Sequence, residues 1–148
     1  MPTLSLRVSR PLDRERLAAL AEALTAITAR TLLKRAELTA VLIESLHQDH
    51  WFIGGSRCPA PAAQLEIDIT AGTNDAAQKT DFIAACYEEL RRQLATPGEA
   101  LAPISYVIVR ESPAGDWGYG GLTQAARRLQ AAADHSVVDS GTKSHISR

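Results

Sequence analysis

Pro2 is the residue whose position offers the clearest chemistry, because it directly follows Met1 and opens an alternating apolar run. Proline lacks the backbone N–H that a β-ladder uses, so one interpretation is an ordinary strand-opening proline. Met1 is normally removed when a small residue follows it, and its removal would leave Pro2 as a free secondary amine. Such an amine is a base that the strand behind it can aim at a substrate. The rest of the sequence has to decide between these two interpretations.

Other residues that often do chemistry do not form a recognisable site. His47 and His50 are three residues apart, but they follow a predicted strand and have no third ligand, so no metal site is predicted. Cys58 and Cys86 have neither metal-ligand spacing nor a disulfide framework, which favours a reduced, cytoplasmic setting. The two Gly-Gly pairs lack the strand-to-helix context of a phosphate-binding loop and are expected to form tight turns.

Composition predicts an ordinary globular domain. The chain has 148 residues, of which 45% are hydrophobic and 22% charged, enough for one domain with a real core. The net charge is −1 and the basic residues are scattered, which argues against a nucleic-acid or membrane partner. We find neither a secretory signal pattern nor an apolar run long enough to cross a bilayer.

Hydrophobic periodicity predicts four strands, at residues 3–9, 38–45, 64–70 and 104–111. The first and third alternate, whereas the second and fourth are apolar on both sides, as strands buried on two faces are. A helix capped by Asp13 is expected to run to about Leu33. A second helix, capped by Thr73 or Asn74, should bury Phe82, Ile83, Cys86, Leu90 and Leu94.

The two halves of the chain repeat each other. Each ends in an aromatic-x-x-Gly-Gly motif, WFIGG at 51–55 and WGYGG at 117–121. The two motifs are 66 residues apart, and the second strands of the two halves also start 66 residues apart. This pattern indicates a duplicated β-α-β unit, with repeats at 2–57 and 63–125. We expect an α/β (α+β) fold, a four-stranded sheet with both helices on one face, within one domain at 2–125. The bare face should pack against other subunits. Residues 126–148 are predicted to be a partly disordered C-terminal extension. A helical pattern runs into it as far as about residue 134, and the residues after that are expected to be loose.

The N-terminal proline, the duplicated unit and the repeated motif together resemble the tautomerase superfamily. The closest likeness is to 4-oxalocrotonate tautomerase in its fused, two-repeat form, over about residues 2–125. The resemblance implies β-α-β repeats packed into a homotrimer. It also implies chemistry through the terminal proline amine, which moves a proton between carbon and oxygen of a small enol or α-keto acid without metal or cofactor.

The resemblance is incomplete at the substrate-binding positions. The short family enzymes carry two arginines that grip substrate carboxylates, and the matching residues here are Leu12 and Ala40 in the first half and Thr73 and Tyr106 in the second. The second half also has Ala63 where the first has Pro2, so one active amine per chain is expected.

Substitutes for the missing contacts can be named from residue type. A bidentate carboxylate contact could come from Arg10, Arg57 or Arg110, with Arg110 favoured because it shares a strand face with Tyr106. Tyr106 could donate a hydrogen bond to a developing enolate oxygen. Trp51 and Phe52, from the same or a neighbouring subunit, could form an apolar wall beside Pro2. The alternative for Trp51 and Tyr106 is plain core packing.

The sequence therefore predicts a cofactor-independent keto-enol tautomerase with Pro2 as proton shuttle. An ordinary α-amino group has a pKa of about 7.7–8.0, so a base at neutral pH needs an apolar pocket or nearby cations that lower its pKa. An unshifted amine would favour acid chemistry, namely hydration, dehalogenation or decarboxylation of a three-carbon acid. The third alternative is an inactive scaffold of the same fold, which the missing arginines motivate.

Overall fold

The computed structural model describes residues 1–142 and divides the chain into two compact units, Met1–Glu111 and Ser112–Arg148. The elements of the first unit are, in chain order, β1 (Thr3–Val8), α1 (Arg14–Leu32), β2 (Ala40–Ser45), β3 (Phe52–Ile53), β4 (Ser56–Arg57), β5 (Ala63–Thr70), α2 (Ala76–Leu94) and β6 (Tyr106–Ser112), the last of which ends at the boundary. The predicted strands and helices all form, with ends shifted by a few residues at most.

The main sheet has four strands in the order β2-β1-β5-β6. Strand β1 is parallel to β2, with Leu4 opposite Val41, as a β-α-β crossover requires. The same strand is antiparallel to β5, with Thr3 opposite Asp68 and Val8 opposite Ala63. The first strands of the two repeats therefore lie side by side at the centre of the sheet and run in opposite directions. The predicted four-stranded sheet is confirmed.

Both helices pack on one face of this sheet, as predicted. The inward side chains of β1 and β5 and the buried faces of α1 and α2 form a single apolar cluster. Each helix starts at an aspartate: Asp13 accepts a hydrogen bond from the backbone N–H of Arg16 (2.8 Å), and Asp75 forms a reciprocal capping box with Gln78. The predicted caps Thr73 and Asn74 are wrong, because their side chains bond elsewhere. Ile83 is also wrong as a core residue: it is 40% exposed, since its neighbour Phe82 takes the inward position.

The helices preserve the duplication residue by residue. The fully buried positions of α1 are Leu20, Leu24, Thr28 and Leu32, and those 62 residues later in α2 are Phe82, Cys86, Leu90 and Leu94, all likewise buried. Side chains at four-residue spacing lie on one face of a helix, so both helices present the same stripe to the sheet. The two repeats thus have one packing plan with different side chains.

The opposite face of the sheet is open within one chain. Its outward side chains include Arg7, which donates to Glu44 at 3.5 Å, and Arg110, which donates to Glu66 at 3.0 Å. Leu42 on the edge strand β2 is 59% exposed. The apolar outward residues of β2 and β6 suit burial against another surface, so the packing of this face against other subunits stays a prediction.

The second unit contains a short hairpin, β7 (Gly118–Tyr119) and β8 (Leu122–Thr123), followed by α3 (Gln124–Thr142). The hairpin turn uses Gly120 and Gly121, both with positive φ, and the β3–β4 hairpin uses Gly54 and Gly55 in the same way. The predicted tight turns are therefore present. The expected loose tail after residue 134 is wrong as far as Thr142, because α3 continues to that residue, and residues 143–148 lie outside the described part.

Candidate active site

Pro2 lies immediately before the central strand β1 and is buried. Its carbonyl oxygen accepts a hydrogen bond from the backbone N–H of Ala40 at 3.2 Å, which fixes the start of β1 against the start of β2. On the other side, the next residue, Thr3, is opposite Asp68 near the end of β5. The proline is therefore held by main-chain contacts at one end of the sheet, well inside the fold.

Met1 decides whether Pro2 can act as a base. While Met1 is attached, the nitrogen of Pro2 is an amide without a basic lone pair. Met1 is half-buried and makes contacts of its own. Processing that removes it would convert the same position into a secondary amine already anchored by the Ala40 bond.

A groove of about 460 Å³ lies at the other end of the same sheet. Its apolar wall is formed by Leu46, Trp51, Phe52, Ile53 and Ile104, and its polar groups belong to Arg7, His50, Gln64 and Tyr106. Ala63 lies at its base, at the start of β5. Both the size and the mixture of apolar walls with a few polar groups are typical of small-molecule sites.

The groove wall is a fixed structure. Trp51 packs against a small cluster of Cys58, Ala62 and Ala102, and its carbonyl accepts a hydrogen bond from the backbone N–H of Cys58 (2.9 Å). Phe52 and Tyr106, by contrast, are 59% and 60% exposed and border the opening. The groove thus has a packed indole at its wall and two accessible rings at its rim.

The groove and Pro2 are far apart within one chain. Ala63 is opposite Val8, six residues along β1 from Pro2, which at a rise of about 3.3 Å per residue is roughly 20 Å. The structure therefore brings Trp51 and Tyr106 together, but not with Pro2 of the same chain. The sequence leaves open whether the site lies within one chain or between two; within one chain the three residues do not meet, because β1 and β5 run antiparallel and place the two repeat starts at opposite ends.

The predicted arginines have partners already. Arg10 donates to the backbone carbonyl of Leu94 at 2.7 Å and lies 3.8 Å from Glu99. Its guanidinium is thus bonded at the C-terminal end of α2 and does not offer two unused donors to a substrate carboxylate. Arg57, on β4, is paired with Asp49, which lies just before β3.

Arg110 is the predicted contact residue nearest the Pro2 end. Its hydrogen bond with Glu66 raises the pKa of its guanidinium, and the nearby charge of Asp68 acts in the same direction. Asp68, on β5, is opposite Thr3, the residue that follows Pro2. Arg110 is on β6, the strand next to β5, and is therefore two strands away from β1.

Three polar groove residues were not among the predicted catalytic or substrate-binding residues: Arg7, His50 and Gln64. Alternation along β1 and β5 does indicate that Arg7 and Gln64 point away from the helices, because Leu6 and Leu65 point toward them. What no local pattern reveals is that the two strands pair with Arg7 opposite Gln64.

Other reactive groups in the described residues have structural roles. Burial raises the pKa of the Cys86 thiol to about 12, so it is no nucleophile at neutral pH.

Within residues 1–142 we find no group of three or more His, Cys, Asp or Glu side chains arranged to hold a metal ion. In the same range no helix has the length and apolarity that a membrane crossing needs.

Comparison with solved structures supplies the family likeness. A native fused 4-OT superimposes with a TM-score of 0.70 at 28% identity, covering 84% of this chain and 97% of that one. The chain has the fused, two-repeat 4-OT-like fold of the tautomerase superfamily. A second fused 4-OT, F6, described as an asymmetric trimer, gives a TM-score of 0.70 at 27% identity over 84% and 98% of the two chains. N1, a member of the cis-3-chloroacrylic acid dehalogenase family, gives 0.68 at 25% identity over 88% and 89%.

These likenesses confirm the resemblance and the fold, while the sequence itself has diverged. No protein-family model matches the chain, and no curated protein matches it either. The fused 4-OT-like fold places this chain among proteins that include both tautomerases and a dehalogenase family. A specific activity has to be argued from the chain's own residues.

Proposed function

We propose that the mature chain is a cofactor-independent tautomerase that uses the amine of Pro2. The observation that supports this most is a buried proline at the start of the central strand of a fused 4-OT-like fold. With Met1 removed, the Pro2 nitrogen takes a proton from the hydroxyl of a small enol, or from the carbon beside a keto group. It returns a proton to the other atom, so the amine is regenerated in each cycle.

The surroundings of Pro2 favour a basic role. Burial disfavours the charged form of an amine, which lowers its pKa toward neutrality and improves it as a base. Arg110 is our candidate for the substrate carboxylate, because it is the predicted arginine nearest this end of the sheet. A substrate carboxylate would compete there with Glu66.

Trp51 and Tyr106 of the same chain do not reach a small substrate at Pro2. We therefore propose a Pro2 site that does not include them. We propose a homotrimer, which is supported by the trimeric fused 4-OT structures and by the open sheet face. We also propose a cytoplasmic location, in keeping with the two free cysteines.

A kinetic comparison tests the proposal. Ketonisation of phenylenolpyruvate and of 2-hydroxymuconate is measured for the wild-type protein, for Pro2→Ala and for Pro11→Ala, an exposed proline outside the strand. We expect Pro2→Ala to lose about 10²–10⁴-fold in kcat, the usual contribution of a positioned acid-base group. Pro11→Ala should retain the wild-type rate. Equal rates of ketonisation in the wild type and Pro2→Ala would contradict the proposal.

A second candidate uses the same amine as an acid. The similarity to the dehalogenase-family protein N1 favours it, since hydration or dehalogenation of a three-carbon acid needs a protonated group rather than a base. Turnover of 3-chloroacrylate without ketonisation of either enol would select this alternative. Intact-mass measurement separates both from an inactive scaffold, in which retained Met1 blocks the amine.

A further inference from the structure

We propose that the groove at the Ala63 end is a second small-molecule site, which binds a planar aromatic carboxylate and does no proline chemistry. It is distinct from the site proposed at Pro2, because roughly 20 Å of β1 separates the two. The inference goes beyond the proposed tautomerase function and does not depend on Met1 removal.

The main-chain nitrogen at the base of the groove cannot act as a base. Ala63 is an internal residue, and its buried amide N–H donates to the hydroxyl of Ser105 at 3.1 Å. Ala62 is likewise satisfied, with its N–H donating to the hydroxyl of Ser9 at 2.9 Å. The repeat start that corresponds to Pro2 is thus closed off by hydrogen bonds, and the groove around it is left for binding alone.

The charge of the groove selects an anion. Among the described residues that line the groove, Arg7 is the only lysine or arginine and none is a carboxylate. The Nε of Arg7 reaches Glu44 only at 3.5 Å and both side chains are more than half exposed, so a ligand carboxylate can replace this partner at little cost. The guanidinium fork then offers two parallel donors to the ligand.

The apolar surface of the groove selects a flat ring. Phe52, Ile104 and Tyr106 are among the few large hydrophobic residues that the first unit exposes, and all three border this groove. Trp51 supplies a fixed indole beside them. Aromatic faces and edges favour a ring over a flexible aliphatic chain, since stacked and edge-to-face ring pairs gain more than their buried area alone provides. Gln64, whose amide nitrogen donates to Glu66 at 3.2 Å, and Tyr106 add neutral polar groups to the groove.

Equilibrium binding of phenylacetate to the full chain tests the site. Calorimetric titration should give saturable binding in roughly the millimolar range or tighter, with much weaker binding of acetate, which lacks the ring, and of benzylamine, which has the opposite charge. Arg7→Gln should weaken phenylacetate at least about tenfold, as expected for a lost charge-assisted contact. Arg57→Gln is the matched control, because Arg57 is a nearby ion-paired arginine outside the groove.

Two further variants keep the test decisive. Pro2→Ala should bind phenylacetate as the wild type does, which separates this site from the one proposed at Pro2. Phe52→Ala removes an exposed ring and leaves the ion pairs of the sheet unchanged. It should also weaken phenylacetate binding about tenfold, and it therefore still tests the site if Arg7→Gln alters the assembly of the protein. Absence of saturable binding, wild-type affinity in both Arg7→Gln and Phe52→Ala, or loss of binding in Pro2→Ala would overturn the inference.

Discussion

The two ends of the central strand pair have the same architecture and different chemistry. The inward series Pro2, Leu4, Leu6 and Val8 of the first repeat corresponds to Ala63, Leu65, Ile67 and Ile69 of the second, and all eight residues are buried. One end begins with a proline whose nitrogen becomes a free amine once Met1 is removed. The other begins with an alanine whose N–H is bonded to Ser105, below a groove with an arginine and three aromatic rings.

This comparison teaches that duplication can divide a site between two places. The packing of both ends is preserved, while the proline that we propose as the reactive group lies at one and the groove of about 460 Å³ lies at the other.

Blocking the amine should produce the largest effect. A chain extended by one alanine between Met1 and Pro2 has an amide nitrogen at Pro2 in every molecule. We expect ketonisation to fall about 10²–10⁴-fold, because the acid-base group is lost. Phenylacetate affinity at the Ala63 end should stay unchanged. Full activity in the extended chain, with the extension verified by intact mass, would contradict the role of a free amine.

Truncation of equivalent core residues should have equal and large effects on stability. Leu4→Ala and Leu65→Ala each remove a fully buried side chain from corresponding positions of β1 and β5. Each should lower the free energy of unfolding by about 2–5 kcal/mol, measured by urea denaturation. Ser5→Ala, at an exposed position between them in the sheet, should stay within about 0.5 kcal/mol of the wild type. A large cost at one leucine and almost none at the other would show that the two ends are not packed alike.

Removing the hydroxyl below the groove should have a smaller effect. Ser105→Ala leaves the buried N–H of Ala63 without its partner, at a cost of about 1–3 kcal/mol in unfolding free energy. Ser56→Ala, in the exposed β3–β4 hairpin, is the control. Because Ser105 is far from Pro2, ketonisation by the folded protein should not change. A stability equal to that of the control would mean that the Ser105 bond does not secure this end.

Local patterns predicted the elements well and the site only in part. Alternation and helical spacing identified four strands and two helices, and Asp13 was recognised as a cap because it stands alone before the helix. The second cap was missed because Thr73, Asn74 and Asp75 are all capping types. Tertiary contacts decide among them: Thr73 donates to the carbonyl of Thr70 at 2.7 Å and Asn74 to that of Leu32 at 2.9 Å, which leaves Asp75 for the helix.

The groove could not be predicted because it depends on long-range pairing. The antiparallel register of β1 and β5 sets Arg7 opposite Gln64, and nothing within either strand specifies that register. The same pairing places Tyr106 at the end away from Pro2, which residue types alone do not reveal. Arg10 was misjudged for a similar reason, since its partner Leu94 lies at the far end of α2.

The most direct test is a titration of the Pro2 nitrogen itself. Protein labelled with nitrogen-15 proline is followed by NMR across the pH range about the ordinary α-amino pKa of roughly 7.7–8.0. We expect one proline nitrogen to titrate with a midpoint below that range, as a buried amine that serves as a base must. A proline set with no titrating nitrogen, or one with a midpoint well above that range, would contradict the account.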